Sequence, residues 1–578
     1  MHADESLADA GYAAEPSNSD ESAAPDSKAL TERARADFKQ SQTKHAFWRK
    51  KAREAFDFVA GGDHKDSGQW LKDDLDILIE QNRPPVTFNK IEPMIEAVAG
   101  AEVNNRQEIA FKPREPADTA VCEALTEVAK WAQDNDCEEE STDVFRNATI
   151  CGMGWAEAVM DYDEDPDGRF RLIAEDPLCF RWDPSARRPN LADARWVGRI
   201  KEVTKDEYRA MFPDATCPGY PKVFGVNPRI DAPGELEAEA EKYPDDYSRE
   251  LETRDPGNSY KDCVALFEYQ YWAAEPIYRI VNAETGGLDT VDHMTFARMR
   301  DTAAAQGISF LPVSDRSEEQ GIRYIAQTKK TWKRAYFSGN ELVEESPCPW
   351  PSGSTLRCVT GRRDHNKNIW YGIVRAMMDP QRFTNKFLSQ AIHHYNTSIK
   401  APLKAEEDAV PDKEAMAKAA TNPAGILWVN PGRIDSVQQL NASPIPPDLF
   451  NLLNFAYNAP PAVTGINLEF LGLAGREQAI GLEQTRKLAT LSVLAPLFSS
   501  YRRYRKGLGQ LLMHYIVEYF TPQTLTRVLS EEAREHVPHI KDADVARFDV
   551  HVDETPLSPS MKATVFSVFK DMMQYAPP

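Results

Sequence analysis

Ile369–Asn385 reads IWYGIVRAMMDPQRFTN, and the parsing of the chain turns on it. An aromatic entry, Trp370-Tyr371-Gly372, leads into a segment with a helix-starting device. Asp379 is placed to N-cap a helix with Pro380 in its first turn, where the missing N–H costs nothing because the first helical amides have no partner. Phe383, Phe387, Ala391 and Tyr395 then recur at every fourth residue. That spacing predicts an amphipathic helix to about Ser398, with these four residues on one face.

The chain has 578 residues, too many for one core of ordinary size, so several packed units are expected. An apolar fraction of 42% and an aromatic fraction of 10% are those of a folded chain. The N-terminus has no signal-like apolar core and no run of about 18 apolar residues occurs, so a soluble, cytoplasmically folded protein without a membrane span is expected. Eight cysteines, none in a C-x-x-C pair, read as small buried hydrophobes. With 90 acidic against 68 basic residues the net charge is −22. A protein that grips nucleic acid over its whole surface would carry the opposite sign, so the surface reads as solvating rather than DNA-binding.

The first 30 residues hold seven acidic side chains against Lys28 alone and predict a disordered arm. Helix is expected over 31–60, stopped by Gly61-Gly62, and again over Val121–Gln133, where Val121, Leu125, Val128 and Ala132 form a stripe. Trp155–Met160, the turn Asp165-Pro166-Asp167-Gly168 and Phe170–Ile173 read as a β-hairpin. Asp231–Gly257, with ten acidic and three basic residues, reads as an exposed loop or insertion. Val264–Trp272 and Thr331–Phe337 have strand composition and are expected to pair, with Ser338-Gly339-Asn340 as a turn and a helix over Val291–Gln306. A last apolar stripe runs Leu488, Leu491, Leu494, Phe498, Tyr501, Leu508, Leu511, Tyr515, Tyr519; Pro496 predicts a kink or break near Ala495. Arg502, Arg503, Arg505 and Lys506 on this helix would meet DNA phosphates, an acidic neighbouring subunit, or water.

Trp370-Tyr371-Gly372, Val374-Arg375 and Asp379-Pro380-Gln381-Arg382 with Asn385 resemble the portal proteins of short-tailed bacteriophages, of the large Salmonella-phage type. Other blocks agree in order: Pro85-Val-Thr-Phe-Asn89, Asn104–Pro113, Gly152-x-Gly154-Trp155, Asp176-Pro177, Trp182-Asp183-Pro184, Tyr519-Phe520-Thr521-Pro522 and Val552–Ser560. The resemblance implies an α+β, mainly helical portal fold. Its implied layout is a wing over 31–230, a stem and clip over 258–385, a second wing part with a channel-proximal helix over 386–480, and a helical crown over 481–578. It also implies a chain longer than one ending at Ala576-Pro577-Pro578.

Function follows from the same resemblance: a ring of about twelve copies at one capsid vertex, carrying about −264 in total, through which double-stranded DNA passes. The implied partners are the terminase large subunit, capsid and scaffolding proteins, and head-completion or tail adaptor proteins, with assembly in the host cytoplasm and a final place in the virion. No cofactor is implied. Arg375, Arg382, Lys386 and Lys400 become candidates for the DNA channel. The aromatic blocks at Trp370-Tyr371 and Tyr501–Tyr519 suit either a subunit interface or the subunit's own core. The alternative is a DNA-processing enzyme of the packaging machinery, a nuclease or an ATPase. A G-x-x-x-x-G-K-[ST] loop, an H-E-x-x-H helix and a G-x-S-x-G elbow are all missing from the sequence, which disfavours motor and hydrolase chemistry. A nuclease built from scattered carboxylates stays open at this point.

Overall fold

The structure is a computed structural model that describes residues 27–552, apart from short gaps and longer ones at 225–262, 314–320 and 471–479, with 400–446 described in fragments. The chain opens with α1 (Ser27–Ala60), which buries Leu30, Ala34, Phe38, Trp48 and Phe58. Gly61 stops it at φ 79°, a left-handed conformation suited to glycine. The expected disordered arm is therefore too long at its C-terminal end. Ser27 to Leu30 are helical, and Leu30 is buried beside Phe267 and Phe337; residues 1–26 lie outside the described residues.

Next come α2 (Lys72–Glu80), α3 (Ile91–Asn104), β1 (Ile109–Lys112), α4 (Thr119–Gln133) and α5 (Cys137–Cys151). The stripe Val121, Leu125, Val128, Ala132 on α4 is buried, as its period requires. The hairpin is present as β2 (Met153–Asp161) and β3 (Arg169–Glu175), with Trp155 opposite Glu175 and Gly168 at φ 81° in the turn. Then β4 (Phe180–Trp182), β5 (Trp196–Thr204), α6 (Lys205–Met211), β6 (Cys263–Val281), β7 (Leu288–Asp292), α7 (His293–Ala305), β8 (Ser309–Pro312), β9 (Gly321–Ser338) and β10 (Glu341–Pro347) follow.

These strands make a sheet of order β10-β9-β6-β5-β4, with β7 on β6 and β8 on β9. The expected pairing holds: Leu266 faces Ser338 and Trp272 faces Trp332, and the ladder runs on to Ile280 and Tyr324. Gly339, at φ 60°, turns the chain into β10. The outer half of this long ribbon carries a small aromatic core, in which Tyr278 stacks on Phe296 at 3.8 Å beside Tyr324 and Phe310. The segment Asp231–Gly257 falls outside the described residues.

β11 (Leu356–Thr360) then pairs with β2, and β12 (Arg362–Asp364) with β13 (Ile369–Tyr371). After α8 (Val374–Ile399) come β14 (Leu403–Ala405), which pairs with β15 (Val437–Gln439), then α9 (Pro447–Thr464), α10 (Ile480–Glu518), α11 (Pro522–Val528) and α12 (Val537–Ile540). Finally β16 (Asp549–Val552) returns to pair with β1, Val552 opposite Ile109. The largest core joins α3, α4, α5 and the β2–β3 hairpin to α10 through Ile95, Leu125, Phe145, Phe170, Leu508, Leu511 and Tyr515. The fold is α+β.

Two helix readings need correction. Asp379 does not cap α8, because the helix starts at Val374 and Pro380 lies inside it. Of the kink or break expected near Ala495, the break does not occur, because α10 runs as one helix through Pro496. In both cases the carbonyl four residues earlier, which loses its donor, belongs to an exposed residue, Ala376 or Ser492, so solvent can satisfy it.

Candidate functional site

The sequence blocks singled out above are scattered over more than 400 residues, yet the fold brings them together at a few joints. At the first, backbone meets backbone. A Cβ on Gly372 would lie 2.2 Å from the carbonyl oxygens of both Thr149 and Ile150, and one on Gly152 (φ 91°) would lie 2.3 Å from the Tyr371 Cα. No other residue fits at either position. Hydrogen bonds close the crossing: the Ile373 amide donates to the Thr149 carbonyl (2.9 Å) and the Gly361 amide to the Gly152 carbonyl (2.8 Å). The aromatic neighbours fill the adjoining core, with Trp155 stacked on Phe180 at 4.2 Å and Trp182 stacked on His45 at 4.1 Å. Burial pushes the His45 imidazole down to about 3, helped by Arg49 and Arg181, so it sits there neutral.

The second joint is made of amides. Gln381, Thr384, Asn385 and Ser389 are the buried face of α8, and three of them serve the extended chain 83–90 that lies along it. Ser389 Oγ accepts from the Val86 amide (2.9 Å), Asn385 Oδ1 accepts from the Phe88 amide (3.1 Å), and Gln381 Nε2 donates to the Phe88 carbonyl (2.5 Å). The spacing is physical: four helical residues rise about 6 Å and two extended residues about 6.6 Å, so residues 385 and 389 match 88 and 86. Asn385 Nδ2 donates to Gln69 Oε1 (2.9 Å), and Gln69 Nε2 donates to Asn89 Oδ1 (2.9 Å) and to the Phe58 carbonyl (3.0 Å). The end of α1, the start of α3 and α8 are thereby one hydrogen-bonded unit.

The expected apolar face of α8 is accordingly divided: Phe383 and Tyr395 point outward, Phe387 is half-buried and Ala391 is buried. Phe383 is 52% exposed and Tyr395 60%, while the amide face is buried. Period alone located two faces but not which one packs inward.

Charged joints complete the set. Arg106 donates to Glu102 at 2.8 Å, to Glu138 at 3.3 Å and to the Thr142 hydroxyl, tying α3 to α5. Arg199 bridges Glu157 (2.7 Å), Glu175 (2.6 Å) and Glu268 (2.7 Å), pinning the β2–β3 hairpin to the long sheet. Burial and the nearby Glu268 hold Glu157 above the usual carboxylate range, whereas Arg199 and Arg334 overcome burial at Glu268 and hold it below.

The predicted channel cations are placed as follows. Arg375 lies over the Tyr371 ring at 4.8 Å and is 3.5 Å from Asp364. Arg382 pairs with Glu54 at 2.5 Å and Lys386 with Asp74 at 2.8 Å; Lys400 is outside the described residues. Of the basic run on α10, Arg502, Arg503 and Lys506 are exposed but Arg505 is buried at 3%, which takes it off the presumed shared surface. Trp370, Tyr501, Tyr504 and Tyr515 are buried in the subunit's own core, whereas Tyr371 is half-buried and Tyr519 is 36% exposed, so core packing accounts for those four and not for the blocks as a whole. Among the described residues no group of three His, Cys, Asp or Glu is placed to hold a metal. No described helix is long and apolar enough to cross a membrane.

The blocks that carry the resemblance lock joints between distant parts of the chain. The profile of the Phage P22-like portal protein family matches residues 35–578, and the chain belongs to that family, a structural and non-catalytic one. The portal protein of Helicobacter pylori bacteriophage KHP30 is 22% identical over 168 residues, 29% of this chain and 28% of that protein. The chain thus aligns with under a third of that relative's length.

Proposed function

We propose that this portal-family chain works as a ring subunit at one capsid vertex, a passive conduit rather than an enzyme. About twelve copies close on themselves by heterologous contacts, one surface of each subunit meeting a different surface of the next. Double-stranded DNA enters through the axis, driven by a terminase large subunit docked outside, and later leaves by the same route. Capsid and scaffolding proteins contact the ring, and head-completion or tail adaptor proteins attach to it. It is assembled in the host cytoplasm and kept in the virion.

The observation that carries this reading is the family match over 35–578. A net charge of −22 per subunit suits it, since an acidic wall lets phosphates slide past without sticking. Among the candidate channel cations, Arg375 keeps 52% of its side chain exposed, against 21% for Arg382. Size-exclusion chromatography with negative-stain imaging is expected to show closed rings without ATPase or nuclease activity. A monomer that hydrolyses ATP or cuts DNA overturns the proposal. Replacing Arg375 and Lys386 by Gln is expected to change the DNA retained in packaged heads while leaving rings intact.

A further inference from the structure

Helix α9, PDLFNLLNFAYNAPPAVT, has Asp448 as its one charged residue and is apolar around most of its circumference. A helix of that kind is ordinarily buried on all sides. Here it is covered on one side by α8, and Phe450 (48%), Leu452 (49%), Phe455 (76%) and Tyr457 (41%) stay exposed. Phe383 and Tyr395 of α8 extend the same kind of surface. Neither Phe387–Ile399 nor Leu449–Thr464 contains an Asp, Glu, Lys or Arg, in a chain where 27% of residues are charged. The C-terminal half of α8 and the length of α9 after Asp448 therefore carry no Asp, Glu, Lys or Arg.

We propose that the α8–α9 pair is the surface through which one copy of this chain docks against the next, an assignment that rests on the ring reading above. The charge pattern selects the occupant. Two chains at −22 each repel, and they approach with least penalty where neither acids nor bases are presented. DNA is a poor fit for the same face, because nothing between Leu449 and Thr464 can neutralise a phosphate, and Lys90, which lies over the Tyr457 ring, is already engaged in donating to the Tyr457 carbonyl (2.7 Å). Exposed aromatics are what an obligate interface buries at its centre.

The test is Phe455→Glu, alone and with Phe450→Glu, in the full chain. Both side chains are exposed within the subunit, so the circular-dichroism melt of the dissociated subunit is expected to be unchanged while the elution position moves from ring to single subunit. Met294→Glu, at a 59% exposed position on α7, is the control and is expected to leave rings intact. A photo-crosslinking residue at 455 is expected to give a subunit–subunit adduct. Rings that persist in the double variant, or an adduct to DNA alone, overturn the assignment and leave the ring reading standing. A wild-type chain that never forms rings overturns the ring reading itself.

Discussion

Helices α8 and α10 are built on opposite plans. α10 buries its aromatics, Tyr501, Tyr504 and Tyr515, and shows water Arg502, Arg503 and Lys506; α8 buries Gln381, Asn385 and Ser389 and shows Phe383 and Tyr395. Their partners explain the reversal. α10 packs mainly by apolar contact against helices and a sheet whose backbone groups are largely paired, alongside polar ties such as the Tyr515 hydroxyl donating to the Ala158 carbonyl (3.0 Å) and Asn190 Nδ2 to the Ser500 carbonyl (2.8 Å). α8 lies along the extended segment 83–90, whose amides and carbonyls have no strand beside them and need side-chain partners. Period finds the two faces of a helix; the neighbour's unmet hydrogen bonds decide which face is inside.

The largest effect is expected where both helices reach the glycine crossing. Val493, Leu494 and Leu497 of α10 and Ile373, just ahead of α8, line the same small recess as Gly372. Gly372→Ala forces a methyl into two carbonyl oxygens, so backbone has to move, and loss of soluble folded protein is expected. Wild-type-like yield and melting temperature would show that the crossing is not rigid. Next is Leu512→Ala in α10, a fully buried site, expected to cost about 2–5 kcal/mol in urea unfolding.

Asn385→Leu sets the two plans directly against each other. If α8 obeyed the rule of α10, an apolar side chain on its buried face would stabilise. Instead the Phe88 amide and the Gln69 side chain each lose a partner, at about 1–3 kcal/mol per orphaned group. A double-mutant cycle with Gln69→Ala is expected to show strong coupling, and additive losses would break the comparison.

What was legible beforehand was local. The β2–β3 hairpin announced itself through alternation and an Asp-Pro-Asp-Gly turn, and α4 through a clean stripe. The β6–β9 pairing, across the residues between Val281 and Gly321, was readable because both strands are aromatic and β-branched. The glycine and amide joints were not readable as contacts, since each needs two segments hundreds of residues apart to touch. Signals existed all the same: Gln381, Asn385 and Ser389 repeat every fourth residue, the spacing of a polar buried stripe, and Gly152 and Gly372 sit outside any turn pattern. Asp379-Pro380 is a good cap signal locally, and only the packing of Val374 and Met377 extends α8 upstream of it.

A smaller effect is expected from Arg382→Met, which leaves Glu54 with Lys51 as its remaining cation. Burial pushes the Glu54 carboxyl up, but Lys51 and Arg382 outweigh it and hold it below the usual range. A depressed carboxylate contributes stability that is present above its unfolded pKa and lost as pH falls through the folded value. The pair is partly exposed, so the loss at pH 7 is expected to be about 0.2–1 kcal/mol. The gap between variant and wild type should close in acid, and a gap that widens there would reverse the sign assigned to Glu54.

The smallest effect is expected on the outer face of α10. Arg503 and Lys506 are both exposed and three residues apart, on the side away from Tyr501, Tyr504 and Leu508. Like charges at that spacing repel weakly, so replacing both by Ala removes a small penalty and adds helix propensity. Stability of the subunit is expected to stay within about 0.5 kcal/mol of wild type in urea unfolding. A loss well above that would mean this face is held by contacts inside the subunit, and α10 would then no longer be the helix whose polar side is merely solvated. The comparison with α8 depends on that side being free of structural work.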